Sequence, residues 1–444
     1  MRNNALIIFT RVPIEGRTKT RLMPYLTGIQ AAKLHAAMLK DIQERIDKVE
    51  ADVFVFHTPE DIHGLLHEIF FRAKNFFLQE GKDLGERMNR ACSKILNLGY
   101  QKIVLIGTDV PMITEREIAR AYQKLDFSDV VFGPSEDGGY YLVGMKRKFP
   151  IIFEKQAYGE GKVLAQTRSR LHREGVSSSL VRTLFDIDER KDVDQYRMAA
   201  VKDKDIQRMA TFCCLQNFLK VSVIVPIYNE ESTILSLKEQ LYKVKDQAEI
   251  IFVDGQSTDH TLQLLGDEFV VLQSKKGRAA QMNLGAKYST GDILFFLHCD
   301  SILPEDFLQQ IKEVAKTHLA GCFGIAFDTK SVLMKICQII SNHRIKDRKV
   351  MFGDQGIFIW RELFEEMGGY QELPIMEDYQ FSLDLKERRV KLGIARKRIY
   401  TSDRRFPKSP MGKLKIMWKM NRLRKLYRDG ASIEKIHRAY KDVR

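Results

Sequence analysis

Three short acidic segments in the C-terminal half hold residues suited to binding an anionic ligand and moving a proton. Asp254 closes the apolar run Ile250–Val253 and precedes a Gly-Gln-Ser-Thr-Asp cluster ending at Asp259. His298 and Asp300 follow the apolar run Ile293–Leu297, two residues apart, so an extended chain points both to one side. Glu377 and Asp378 are adjacent acids at an expected helix start, within Met376–Phe381. A diphosphate leaving group concentrates negative charge. A hard divalent cation held by one or two carboxylates plus phosphate oxygens neutralises it. Asp300 is the expected metal ligand, with His298 as a second ligand or a phosphate partner. A carboxylate at 377–378 can take a proton from a hydroxyl.

A second set lies near the N-terminus. Thr10–Leu22 contains Gly16 and four cations, Arg11, Arg17, Lys19 and Arg21, which suit a triphosphate or sugar phosphate through charge-assisted hydrogen bonds. Asp109 lies in Gly107–Pro111 after the apolar run Ile103–Ile106, and Asp186 and Asp188 form a further acidic pair. The turn Gly133–Tyr140 carries Asp137, Gly138 and Gly139, whose backbone can approach a ligand closely. Taken singly, an Asp at a strand end more often caps a helix than binds a ligand. In the C-terminal half it is the ordered series that favours a site.

These residues need a scaffold that brings strand ends together. In the first half, Ala5–Phe9, Asp52–His57, Ile103–Ile106 and Val130–Phe132 read as strands, alternating with helix-like stretches such as Ile29–Val49 and Leu84–Leu98. The second half repeats the rhythm, with strands Val221–Pro226, Glu249–Val253, Phe269–Leu272 and Ile293–Leu297 and helices Ser232–Val244, Thr261–Leu265 and Gly277–Tyr288. Two α/β domains with mainly parallel sheets are expected. Their ligands would sit at the carboxyl edges of the strands. The first strand of the second half is expected to break at Pro226. The spacing from first strand to closing acid differs between the halves, so any kinship is one of fold. Expected boundaries are 1–199, a linker at 200–219, 220–410, and a basic amphipathic helical tail at 411–444.

The chain has 444 residues, 44% hydrophobic and 29% charged, which suits two buried cores. The longest apolar runs fall far short of the ~18 residues of a membrane span, and the first strand begins too early for a signal peptide. Six Cys without zinc-ligand spacing read as reduced thiols. The expected location is cytoplasmic, or peripheral at the inner membrane surface. The net charge is +14; residues Arg404 to Arg444 hold 14 Lys and Arg against three acids, so that segment supplies +11 of it.

Residues from Val221 to about Phe406 resemble glycosyltransferase family 2, with the GT-A fold. More narrowly, Asp254–Asp259, Gly277–Asn283, Phe296–Asp300, Gly353–Gln355 and Thr401–Arg405 resemble the branch named for arsenosugar biosynthesis. That resemblance implies a nucleoside-diphosphate sugar donor, a small-molecule or lipid acceptor, a divalent cation (Mg or Mn) and transfer with inversion. It implies that Pro226, Tyr228, Glu230 and Asp254, beside Asn229, hold the nucleoside. Arg278 and Asn283 would contact ribose or phosphates, Asp300 the metal, and Gly353, Asp354 and Gln355 the acceptor side. Asp378 would be the catalytic base, with Glu377 beside it, and Arg405 of the Arg404–Arg405 pair would meet the diphosphate. Two departures stand out: the Asp-x-Asp signature reads His298-Cys299-Asp300, and Phe406 stands where the branch usually has Trp.

Residues 3–197 are similar to the nucleotidyltransferase-like family that includes guanylyltransferases of cofactor synthesis, and to its arsenosugar-type companion glycosyltransferases. By that resemblance Gly16, Arg17 and Lys19 grip phosphates, and Asp109 and Asp188 hold a divalent ion. The whole then reads as two tandem GT-A-like (Rossmann-like, nucleotide-diphospho-sugar transferase) domains in a bifunctional enzyme. Two alternatives remain: a membrane-surface transferase acting on a carotenoid-like or polyprenyl acceptor, and a non-catalytic, nucleotide-binding first domain. In the tail, Leu414, Met417, Trp418, Leu423 and Leu426 fall near one helical face, suited to docking on the domain or to an anionic membrane. No base-stacking motif appears outside the tail, so nucleic acid is not an expected partner.

Overall fold

The computed structural model describes residues 4–159, 161–327, 332–401 and 409–441. The chain divides into two units, Met1–Phe218 and Leu219–Arg444.

In the first unit the strands are β1 (Asn4–Arg11), β2 (Asp52–Thr58), β3 (Asn75–Leu78), β4 (Lys102–Gly107), β5 (Val130–Pro134), β6 (Tyr140–Met145) and β7 (Ser178–Leu180). They form one sheet in the order β3-β2-β1-β4-β6-β5-β7. Only β6 runs antiparallel to its neighbours, β4 and β5. Leu6, Ile7 and Ile8 on β1 are fully buried, as a central strand covered on both faces requires. The flanking helices start at side-chain caps that the sequence supplies: Thr27 with Gln30 for Gly28–Ile46, and Asp83 for Leu84–Asn97.

The helix-compatible segment expected to be a linker forms the helices Arg190–Lys202, Lys204–Gln207 and Ala210–Asn217 and belongs to the first unit. The Asp41 carboxylate accepts the amides of Ala210 and Thr211 at 2.7 and 2.8 Å and so caps the last of these helices. Tyr196, Phe212 and Leu215 share a core with Leu34 and Met38. Charged residues face solvent there, which is why composition alone resembles a linker.

The second unit contains β8 (Val221–Ile227), β9 (Glu249–Asp254), β10 (Val270–Gln273), β11 (Ile293–Phe296), β12 (Ser301–Ile302), β13 (Ala320–Phe327), β14 (Ile357–Trp360) and β15 (Leu392–Thr401). Its order is β10-β9-β8-β11-β14-β13-β15-β12. Leaving out the two-residue edge strand β12, this repeats the first sheet position by position, including one antiparallel strand, β14, between β11 and β13. Two tandem α/β units of GT-A-like topology result.

β8 does not break at Pro226 but runs through it to Ile227, and the next helix begins at Ile234. Ile224 accepts from the Leu297 amide at 3.0 Å, and β11 pairing ends there. Pro226, two residues on, faces the same side past that end, so its missing N–H breaks no ladder bond. The tail forms two helices, Pro410–Arg428 and Ile433–Lys441. Leu423 and Ile436 are buried against Val350, Ile375, Met376 and Tyr379. The face expected to be continuous is split, because Leu414 and Trp418 are exposed whereas Leu423 is buried.

Candidate active sites

At the carboxyl edge of β8 and β9, Asp254 is buried and accepts the amides of Gln256 and Ser257 at 3.0 and 3.1 Å. Asn229, at φ 53°, accepts the Thr258 amide at 2.8 Å and donates its own backbone N–H to Ser257. The two loops are thereby laced together. Glu230 accepts from the Thr233 hydroxyl at 2.7 Å, and the Lys276 ammonium lies 3.8 Å from the Tyr228 ring centre. Gln281 donates to the carbonyls of Ile227 and Val253 at 2.8 and 2.7 Å, tying both strand ends to helix Arg278–Tyr288. Asp254 and Asn229 thus shape this edge through backbone partners, and Glu230 through the Thr233 hydroxyl.

Beyond the end of β11 lies a cavity of about 280 Å³. Five residues singled out from sequence line it: Arg278, His298, Asp300, Asp354 and Asp378. Asp378 sits in the first turn of helix Glu377–Glu387, where the backbone dipole favours a carboxylate. Its Oδ2 accepts the Gly353 amide at 2.9 Å and its Oδ1 the Tyr379 amide at 2.7 Å. Gly353 leaves room for this arrangement: a Cβ there would lie 2.5 Å from Nε2 of His298.

Glu377, its neighbour, turns the other way. It is nearly buried and pairs with Nε of Arg278 at 2.9 Å. Burial, reinforced by Asp378, holds the Glu377 carboxyl above the usual range against the pull of Arg278. Glu377 therefore orients Arg278 and does not line the cavity. Asn283 also departs from expectation: its amide donates to the Tyr370 carbonyl at 2.8 Å and accepts the Tyr370 N–H at 2.9 Å. Both ends are engaged in bracing a loop, so a ligand would have to displace them. Gln355 is buried, and its side chain accepts the Phe352 amide at 3.0 Å. Arg404 and Arg405 lie outside the described residues, as does Phe406.

Two cations in the cavity wall escaped the sequence reading. Arg344 comes from helix Val332–Arg348 and Arg424 from the tail. Their guanidiniums lie 4.2 and 5.1 Å from the Phe352 ring centre. Burial and the nearby Arg424 push the Arg344 guanidinium down to about 10, and burial also lowers Arg424. The two part-desolvated cations stand in the same wall as Asp300, Asp354 and Asp378. Arg424 was legible only as one charge among the tail's many. Arg344 had no signal of its own, since it belongs to none of the motifs although its helix ends just before Gly353–Gln355.

In the first unit, Lys19 adopts φ 49° and its side chain is 4% exposed. Its ammonium donates to the Ile187 carbonyl at 2.7 Å and to Asp188 at 2.9 Å, and it also pairs with Asp109. Burial opposes the Lys19 charge, but the two carboxylates outweigh it and hold the ammonium above its usual range. The expected phosphate grip and the expected metal ligands are therefore one ion cluster. Beneath it, buried His35 bonds Thr18 at 2.7 Å and Thr108 at 3.3 Å. Burial, then Lys19, pushes its imidazole down to about 4.

Cavities of about 370 and 350 Å³ meet at this cluster and share Arg21, Asp109 and Asp188. Asp137, Gly139 and Asp186 line the larger one, whereas Gly16 and Arg17 line neither. Asp137 accepts the Gly139 amide at 2.9 Å. Gly138, at φ +85°, has no space for a side chain, since a Cβ would lie 2.0 Å from the Gly161 carbonyl oxygen. Burial, with Asp137 and Asp188 nearby, pushes the Asp186 carboxyl up to about 6.

Residues 222–360 match the model of glycosyl transferase family 2, and residues 41–160 match that of an uncharacterised protein conserved in bacteria, DUF2064. An uncharacterised glycosyltransferase of Haemophilus influenzae is 29% identical over 183 residues, 37% of this chain and 61% of its own length. A 2-phospho-L-lactate guanylyltransferase of Methanosphaera stadtmanae is 26% identical over 149 residues, 32% of this chain and 63% of its own. The chain thus spans less than two thirds of either relative. A candidate nucleotide-diphospho-sugar transferase of Desulfovibrio desulfuricans, known from its crystal structure, aligns at 28% identity with a TM-score of 0.45, over 49% of this chain and 95% of that one. One polypeptide thus carries a segment that matches DUF2064 and is similar to 2-phospho-L-lactate guanylyltransferases, followed by a segment that matches glycosyl transferase family 2.

Proposed function

We propose that the second unit transfers a sugar from a nucleoside-diphosphate sugar to an acceptor hydroxyl, with inversion at the anomeric carbon. The observation that carries this reading is the cavity in which Asp378, held by the Gly353 amide, faces the same space as Asp300, His298, Arg278, Arg344 and Arg424. Asp378 takes the acceptor proton as the acceptor oxygen forms its bond to the anomeric carbon. The bond from that carbon to the diphosphate oxygen breaks, and the nucleoside diphosphate leaves with the electron pair, its charge met by the guanidiniums. Arg278, fixed by Glu377, holds its place through the step.

A divalent ion fits the chemistry of this site. No group of three or more His, Cys, Asp or Glu among the described residues could hold a metal ion by itself, so Asp300, with His298 beside it, would be the protein's contribution and phosphate oxygens of the donor would complete the shell. When bound there, the ion would supply further neutralisation of the diphosphate. The narrower assignment to the arsenosugar-biosynthesis branch rests on the ordered motifs of the sequence.

For the first unit, the proposal is a related nucleotidyl or glycosyl transfer, supported by the Lys19–Asp109–Asp188 cluster at the junction of two cavities. Lys19 already answers the charge of both carboxylates, so no step through a metal is drawn there. Pyrophosphate release from nucleoside triphosphates and sugar phosphates would establish nucleotidyl transfer, and a folded first unit that releases neither pyrophosphate nor, from nucleoside-diphosphate sugars, nucleoside diphosphate would be a binding module. For the second unit, the full chain is assayed for release of nucleoside diphosphate across a panel of donors, with Asp300→Ala and Asp378→Asn alongside. Release and transfer unaffected by either substitution would reject the assigned site.

A further inference from the structure

Polar and apolar side chains together line the cavity of the second unit. Ile340 from helix Val332–Arg348 and Ile416, Met417 and Met420 from helix Pro410–Arg428 line it, as does Asp378. The same two helices expose large apolar side chains outside it. Val332, Ile336 and Ile339 are 71, 46 and 64% exposed, at the spacing of one helical face. Met411, Leu414 and Trp418 are 77, 48 and 61% exposed, again on one face. Ile340 joins the outside to the cavity, being both a lining residue and 55% exposed. Monomers in water seldom leave such rows uncovered.

Charge selects the occupant. Helix Pro410–Arg428 carries seven Lys and Arg and no acid. Arg422 lies 5.6 Å from the Trp418 ring, so the cation and the indole share one surface. A second copy of the chain in a symmetric dimer would set this cationic face against itself. Apolar rows with a Trp, bordered by Lys and Arg, match the boundary between acyl chains and anionic headgroups. No helix among the described residues is long and apolar enough to cross a membrane, so contact would be at the surface.

We infer that helices Val332–Arg348 and Pro410–Arg428 dock on an anionic lipid surface and that the acceptor is an amphiphile whose hydroxyl enters the cavity from that surface. The acceptor half of this inference rests on the sugar-transfer reading of the cavity; the docking half does not.

The test sediments the full chain with vesicles of phosphatidylcholine, alone or with phosphatidylglycerol added. Wild type binds the anionic vesicles, less so as salt rises, and the variant Ile339→Glu/Leu414→Glu/Trp418→Glu, substituted at exposed positions outside the cavity, binds roughly tenfold more weakly with an unchanged thermal melt. Wild type left in the supernatant with both vesicle types, or a variant that binds as tightly, overturns docking. A dimer in light scattering that the variant converts to monomer overturns it in favour of a second copy. Vesicle binding by a protein that glycosylates a soluble hydroxyl but no vesicle-borne one removes the amphiphilic acceptor. Transfer that survives Asp378→Asn rejects the catalytic reading while leaving docking intact.

Discussion

The two units place acids after the same strand of the same sheet order, yet surround them differently. Asp109 follows β4 and Asp300 follows β11, each the fourth strand of its unit. Around Asp109 the charge is closed: one buried ammonium serves two carboxylates, with a neutral His35 packed beneath. Around Asp300 the acids share a cavity wall with Arg344 and Arg424, which arrive from helices outside the shared strand pattern. The strand order sets where a ligand can bind. The appended helices and a single lysine set which charges it meets.

That contrast is most severely tested by Asp378→Asn. Sugar transfer should fall by roughly 10²–10⁴-fold, the usual worth of a general base, while any pyrophosphate release by the first unit continues unchanged. Loss of both activities would break the separation of the two sites. Next come the glycines. Gly138→Ala forces a Cβ onto a backbone carbonyl at a positive φ and should destabilise the protein by about 2–4 kcal/mol in denaturant melts. Gly353→Ala crowds the His298 side chain and otherwise makes an ordinary contact with Asp378, so about 1–2 kcal/mol is expected, with a loss of transfer rate. An equal cost at both positions would mean that the second site is as closed as the first.

Arg424→Ala and Arg344→Ala should each raise the donor KM by about tenfold, the scale of one charge-assisted hydrogen bond. A change confined to thermal stability would make them packing residues. The smallest effect is in pH. The His35 imidazole is held at about 4 in the folded state against 6.5 in its ordinary state, so the unfolded chain takes up the extra proton between these values. Stability from this group is full above 6.5 and declines as pH falls towards 4, with a slope of at most about 1.4 kcal/mol per pH unit. Asp186, raised to about 6, runs the opposite way below that pH and offsets part of it. His35→Gln should flatten the acid side of the stability curve; an unchanged curve would show that the buried imidazole is not its source.

Much of both scaffolds is legible in the residues. Fully apolar runs such as Ile103–Ile106 must be buried on both faces, and the caps at Thr27 and Asp83 mark helix starts by local hydrogen bonding. β6 and β14, the reversed strands, were not foreseen, because an apolar strand reads the same in either direction. The segment 200–217 reads as a linker until Asp41 is seen capping it from far along the chain.

Local composition and ordered motifs determined two α/β units and the acids that cluster at their strand ends, because strand periodicity, caps and turns depend on neighbours a few residues apart. Only the tertiary structure decided that Glu377 serves Arg278 while Asp378 faces the cavity, that Lys19 bridges Asp109 and Asp188, and that Arg344 and Arg424 complete the second site. Those roles depend on where side chains distant in sequence converge and which of them lose their water, and no spacing along the chain records that.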